Sequence, residues 1–107
     1  MTTLEALKSA VNNYPYEDNT IMAIAIERGL DHDSAFTTEL AKSKEYQLAK
    51  ADCIRYVLGM VNLAQSGASV TQTDIRAKIS IANAIYRRFG EPLIADTDGV
   101  RPTVTIL

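Results

Sequence analysis

Residues 70–92 describe a helix whose two ends are both marked, and any fold of this chain has to accommodate it. Thr71 stands where its hydroxyl can cap the first free amides. Asp74, three residues on, can reach back to the Thr71 amide as in a capping box, and Val70 and Ile75 occupy the positions of a hydrophobic staple. At the far end Arg87 and Arg88 face the negative pole of the helix dipole. Gly90 supplies the left-handed residue after the last turn, and Pro92 blocks continuation. Between these signals Ile75, Ile79, Ala82, Tyr86 and Phe89 recur at steps of four and three, with Ile81 and Ile85 alongside. This spacing predicts an amphipathic helix over residues 72–89.

Three further helices follow from the same rules. The first spans residues 3–12. Thr2 and Glu5 have capping-box spacing, Leu4, Leu7 and Val11 form a narrow apolar stripe, and Pro15 forces the chain out of helical geometry. The second spans residues 20–28, capped by Asp18 or Asn19 and closed by Gly29, with Leu30 as the apolar residue after a glycine stop. Ile21, Ile24, Ala25 and Arg28 share one face of it, yet Met22 and Ile26 are apolar as well. A short helix that is apolar on two sides needs cover on both, so Met22 and Ile26 are expected to meet a partner. Asp31-His32-Asp33-Ser34 reads as a polar loop.

The third and longest helix is expected to start at Ser34 or Thr37 and run to Gln65. Tyr46, Ala49, Cys53, Tyr56, Met60 and Leu63 form a heptad-like seam, and Leu48, Ile54, Val57, Leu58 and Val61 add a second apolar face. Lys42, Lys44, Glu45 and Lys50 mark its early half as wetter. Gly59 costs about 1 kcal/mol relative to Ala inside a helix, so a close crossing or a bend is expected there. Ser66-Gly67-Ala68-Ser69 is a short turn, and two matching seams on either side of it predict an antiparallel helical hairpin.

The remaining segment differs in character. Asp96-Thr97-Asp98-Gly99 is a turn signal, and residues 100–107 alternate and are rich in β-branched side chains, which favours extended backbone. Pro102 removes a donor and so suits an edge or a free strand. The expected architecture is an all-α, four-helix domain over residues 1–92 with an extended arm over residues 93–107. Apolar Val100, Val104, Ile106 and Leu107 must either fold back on this domain or add to a neighbour.

Composition narrows the functional classes. The 107 residues suffice for one domain, and a net charge of −2 gives no long-range attraction to nucleic acid or to an anionic membrane. No stretch approaches the roughly 20 apolar residues that span a bilayer, and the first residues lack the pattern of a secretory signal, so a cytosolic protein is expected. One cysteine, Cys53, lies inside an apolar helical pattern and reads as a small buried side chain. His32 between Asp31 and Asp33 lacks the convergent ligands a metal needs. Asp96-x-Asp98-Gly99 resembles the start of a calcium loop, but position 12 falls on Leu107 where a bidentate Glu is required. No nucleophile has a base at hand, no carboxylate pair has an apolar setting, and no glycine-rich phosphate loop occurs, so neither catalysis nor a cofactor is expected. Arg76, Lys78, Arg87 and Arg88 could form a basic surface, but the long preceding helix does not suit a helix-turn-helix, and sequence-specific nucleic-acid binding is not expected.

One resemblance emerges from the order of parts. A short helix precedes a second one closing in Arg28-Gly29-Leu30-Asp31. A long helix containing Ala49-Lys50-Ala51-Asp52-Cys53-Ile54-Arg55-Tyr56-Val57-Leu58 follows, then Gly67-Ala68-Ser69-Val70-Thr71-Gln72-Thr73-Asp74, and a close in Ile81 to Tyr86-Arg87-Arg88-Phe89-Gly90-Glu91-Pro92. In layout this resembles the small helical head–tail connector (adaptor) proteins of tailed bacteriophages and prophages. The likeness is most specific over residues 67–92, and the segment from Leu93 onward has no counterpart. The resemblance implies a structural, non-enzymatic virion component that assembles as a homo-oligomeric ring on the portal, with portal or neighbouring subunits as partners. It implies assembly in the host cytoplasm and residence in the virion. The alternative left by the residues themselves is a small cytosolic protein-binding or regulatory helical domain, with DNA binding a more distant third.

Overall fold

A computed structural model describes residues 1–64 and 72–94, with the side chains of residues 61–64 and 72 excepted. The described chain is mostly helical, in the order α1 (Thr3–Ala10), α2 (Asp18–Glu27), α3 (Thr38–Ala41), α4 (Lys44–Ala64) and α5 (Gln72–Arg88). The all-α expectation holds at this level. Helix α4 is the organising element, in contact with each of the other four, and α1 also packs on α2.

α1 starts as its sequence dictates. The Thr2 hydroxyl accepts from the Glu5 amide at 3.2 Å, and Glu5 Oε1 accepts from the Thr2 amide at 2.8 Å, which completes the capping box. Two further free amides of this helix end, those of Thr3 and Leu4, donate to the Ser34 and His32 carbonyls at 2.9 and 3.0 Å. The loop read as merely polar is therefore bound under the start of α1. An isolated antiparallel bridge between Thr2 and Ala35 continues the contact.

Three expectations need correction. The long third helix is broken in two at Lys42–Ser43. Thr37 caps α3 by accepting from the Leu40 amide, and the Ser43 hydroxyl caps α4 by accepting from the Tyr46 amide at 3.1 Å. The carbonyls ending α3 are met by side chains: Leu40 by the Ser43 hydroxyl at 2.7 Å and Ala41 by Gln47 Nε2 at 2.7 Å. A serine that competes for backbone partners does here what a glycine or proline does elsewhere. α2 begins at Asp18, two residues early, and its N-cap is Glu17, which makes no side-chain cap; the Glu17 amide instead donates to the Tyr56 hydroxyl at 3.0 Å. At Gly59, where a close crossing or a bend is expected, a Cβ would meet no described atom within 4 Å, so no described element crosses closely there.

The core lies where α1, α2, α4 and α5 face one another. Leu7, Val11, Ile21, Ile54, Val57, Cys53 and Tyr86 are its largest fully buried members apart from Thr3. Each such aliphatic side chain contributes about 1.5–3 kcal/mol by leaving water. Of the expected α4 seam, Tyr46, Ala49 and Cys53 are buried while Tyr56 and Met60 are half-buried, and on α5 Ile79, Ala82, Ile85 and Tyr86 are buried. Leu63 and Val61, the Thr71 cap, the Val70 staple and the 66–69 turn lie outside the described residues or side chains, as does everything after Ile94.

Candidate functional site

Two helix ends and the middle of α4 converge on one cluster of charge. α2 and α5 both stop in the same six-residue pattern. In α2 the Leu30 amide donates to the Ala25 carbonyl and the Gly29 amide to Ile26, with Gly29 at φ 84°. In α5 the Glu91 amide donates to Tyr86 and the Gly90 amide to Arg87, with Gly90 at φ 71°. Both are Schellman closures, which the two glycine signals anticipate. The first fixes Arg28 at the last half-turn of α2, and the second turns Glu91 back over the end of α5.

Arg28 then bridges the elements. Its Nε donates to Asp52 Oδ2 at 2.6 Å and its Nη2 to Asp52 Oδ1 at 3.2 Å. Its Nη1 and Nη2 donate to the two carboxylate oxygens of Glu91, both at 3.2 Å. The fork of the guanidinium is thus matched on two sides by bidentate carboxylates. Tyr86, 1% exposed, donates its hydroxyl to Asp52 Oδ1 at 2.5 Å. The Arg55 guanidinium stacks on the Tyr86 ring at 4.7 Å and donates to the Pro92 carbonyl at 3.1 Å, closing the cluster.

The electrostatics follow from these contacts. Its hydrogen bonds to Asp52 and then to Glu91 hold the Arg28 guanidinium more firmly protonated than usual, against the opposing effect of burial. The Arg28 hydrogen bonds hold the Glu91 carboxyl below its ordinary range. Burial first, then the bond to Asp52, pushes the Tyr86 phenol up. All the strong polar groups of the cluster are committed to one another. Such an arrangement fixes helix ends; it leaves no activated nucleophile and no poised base. The neighbouring Cys53 thiol is fully buried and pushed up to about 12, chiefly by burial, which makes it inert.

The residues singled out from sequence fall elsewhere. Ile26 is 57% exposed and Met22 half-buried, so the second apolar side of α2 does face outward. Val100, Val104, Ile106 and Leu107 lie outside the described residues. Arg76 and Arg87 share a flank of α5, whereas Lys78 is turned about 200° from Arg76. Lys78 Nζ donates to the Ala10 carbonyl at 3.0 Å, and the Arg88 guanidinium lies 5.8 Å from the Phe89 ring centre. His32 is half-buried, its Nδ1 3.1 Å from Asp33 Oδ1 without the alignment of a hydrogen bond. Among the described residues no three His, Cys, Asp or Glu side chains gather to hold a metal ion, and no helix is long and apolar enough to cross a membrane.

Arg28, Asp52, Tyr86 and Glu91 were not foreseen as a unit. The signal was present: Arg28 shares a face with Ile21, Ile24 and Ala25, and Asp52 sits inside an apolar run. A charge on an apolar face demands a partner.

No curated protein and no solved structure matches the chain. One family profile matches residues 1–106, so the chain belongs to DUF6706, a family of unknown function.

Proposed function

We propose that this protein is a structural subunit of a phage or prophage head–tail connector, assembling as a ring on the portal. One observation carries the reading. Three of the four stretches on which the sequence resemblance rests are far apart in the chain but meet at a single cluster. Arg28 comes from Arg28-Gly29-Leu30-Asp31, Asp52 from the long-helix stretch, and Tyr86 and Glu91 from the closing segment. A likeness of order along the chain therefore corresponds to one local arrangement that holds helices at set angles. On this reading α4 and α5 are the arms of an antiparallel hairpin: Lys44 near the start of α4 lies 5.9 Å from the Phe89 ring just past the end of α5. Exposed Ile26 and the arm supply the contacts between subunits.

The test is incubation with the portal protein encoded nearest to this gene, followed by light scattering and electron microscopy. Ring-shaped density added to the portal is the expected result. A stable small oligomer that ignores the portal would move the assignment to a protein-binding helical domain of another system.

A further inference from the structure

A cleft of about 380 Å³ opens between α1, α4 and α5. Met1, Phe36, Ile54 and Ile81 form apolar parts of its wall, and Lys50 and Lys78 stand among them. Met1 is 71% and Ile81 42% exposed, so this apolar surface faces water. Lys78 is held at the mouth by its bond to the Ala10 carbonyl. No carboxylate is found among the described residues that line the cleft. Its natural complement is an extended strip that is apolar on one side and carries negative charge.

Residues 95–107 have that chemistry. Asp96 and Asp98 precede Val100, Pro102, Val104 and Ile106, whose alternation puts them on one face of an extended segment. The point from which this segment departs is fixed. The Ile94 amide donates to Asn83 Oδ1 at 2.6 Å, and the Ile94 carbonyl accepts from Asn83 Nδ2 at 3.1 Å. Asn83 and Ile81 are two residues apart on α5 and point about 200° apart around its axis. Ile94, the last described residue, is therefore held on the flank of α5 opposite the cleft. A donor on one flank and an acceptor on the other is the geometry of head-to-tail association, which makes rings where the rotation closes.

We infer that the cleft between α1, α4 and α5 receives residues 95–107 of a second copy of this chain. Asp96 and Asp98 lie against Lys50 and Lys78, and the alternating apolar residues lie against Ile81, Phe36 and Met1. The inference rests on the connector reading for the existence of a ring, but the contact itself requires no portal.

The test uses two full-length chains with different affinity tags, one carrying Ile81→Cys and the other Val104→Cys, mixed under mild oxidation. Native Cys53 is buried and does not interfere. A disulfide-linked species holding both tags is expected. Reversing Asp96 and Asp98 to Lys on the second chain, outside the described helical body, abolishes it. Adding Lys50→Glu and Lys78→Glu to the first chain restores it. Absence of the mixed species at the highest soluble concentration overturns the inference. So does a link that survives the Asp96 and Asp98 reversal. So does a link formed within one copy carrying both cysteines, with a yield unchanged by dilution. Rings on the portal without this link would overturn the cleft contact and leave the connector reading. The link without portal binding would do the reverse.

Discussion

Asp52→Ala is the perturbation that tests the charged cluster most directly. The Asp52 carboxylate accepts two bonds from Arg28 and one from Tyr86. Charge-assisted bonds of this kind are each worth about 1.5–3 kcal/mol net, but they share an acceptor and do not add. Breaking a fully buried ion pair costs about 3–5 kcal/mol because the remaining charge is stranded. Here the Arg28 and Asp52 side chains are 23% and 22% exposed, and Glu91 still holds the guanidinium, so water and Glu91 recover part of the loss. The expected cost is about 2–4 kcal/mol, a fall of roughly 10–25 °C in Tm for a domain of this size. Thermal and urea denaturation followed by circular dichroism measures it. A double-mutant cycle with Arg28→Ala assigns it: in the Arg28→Ala background, Asp52→Ala should cost much less, with a coupling above about 1 kcal/mol. Simple additivity of the two, or a loss within the range of ordinary surface substitutions (about 0.5 kcal/mol), would refute the cluster as a bridge between helix ends.

Two other outcomes follow from single sites. Gly59→Ala should stabilise the protein by about 1 kcal/mol, because Gly59 sits inside α4 with no described atom within 4 Å of where a Cβ would go; an unchanged or lowered denaturation midpoint would mean that something packs there. Stability should also fall on the alkaline side. Burial raises the folded-state pKa of Cys53 from 9.0 to about 12 and also raises those of Tyr86, Tyr46 and Tyr14. The unfolded chain therefore releases protons first, and stability that is full below pH 9 is lost as pH rises towards 12. Each such group contributes a slope of at most about 1.36 kcal/mol per pH unit. Urea midpoints across this interval that do not move would contradict the burial of these groups.

Helix ends were legible because capping is local. Thr2 with Glu5, Gly29 with Leu30, and Gly90 with Pro92 all declare themselves within six residues, and the structure closes each helix end there as the local chemistry requires. The break between α3 and α4 was hidden because periodicity is indifferent to it: Tyr46, Ala49 and Cys53 keep their seam whether or not the helix begins at Ser43. Only a serine that turns its hydroxyl to Leu40 and Tyr46 marks the junction, and serine is common enough inside helices to pass unnoticed. The charged cluster was hidden for another reason. Arg28 is 24 residues from Asp52 and 63 from Glu91, and nothing in local sequence says which carboxylate an arginine on an apolar face will find.

The cluster also explains how two helix ends of like polarity can lie together. α2 and α5 each bring the negative pole of a helix dipole to the same place, where alone they would repel. Arg28 sits at that junction with its charge held by Asp52 of α4 and by Glu91 just past α5, so it ties both ends to the central helix. A hydrophobic junction could match its stability, since well-packed apolar replacements of buried ion pairs are often neutral or better. What apolar packing does not supply is direction: two bidentate forks fix the guanidinium plane, and through it the positions of three elements. Under the proposed connector reading, a fixed relation between helices is the property that would let contacts at Ile26 and at the cleft beside Ile81 repeat from copy to copy.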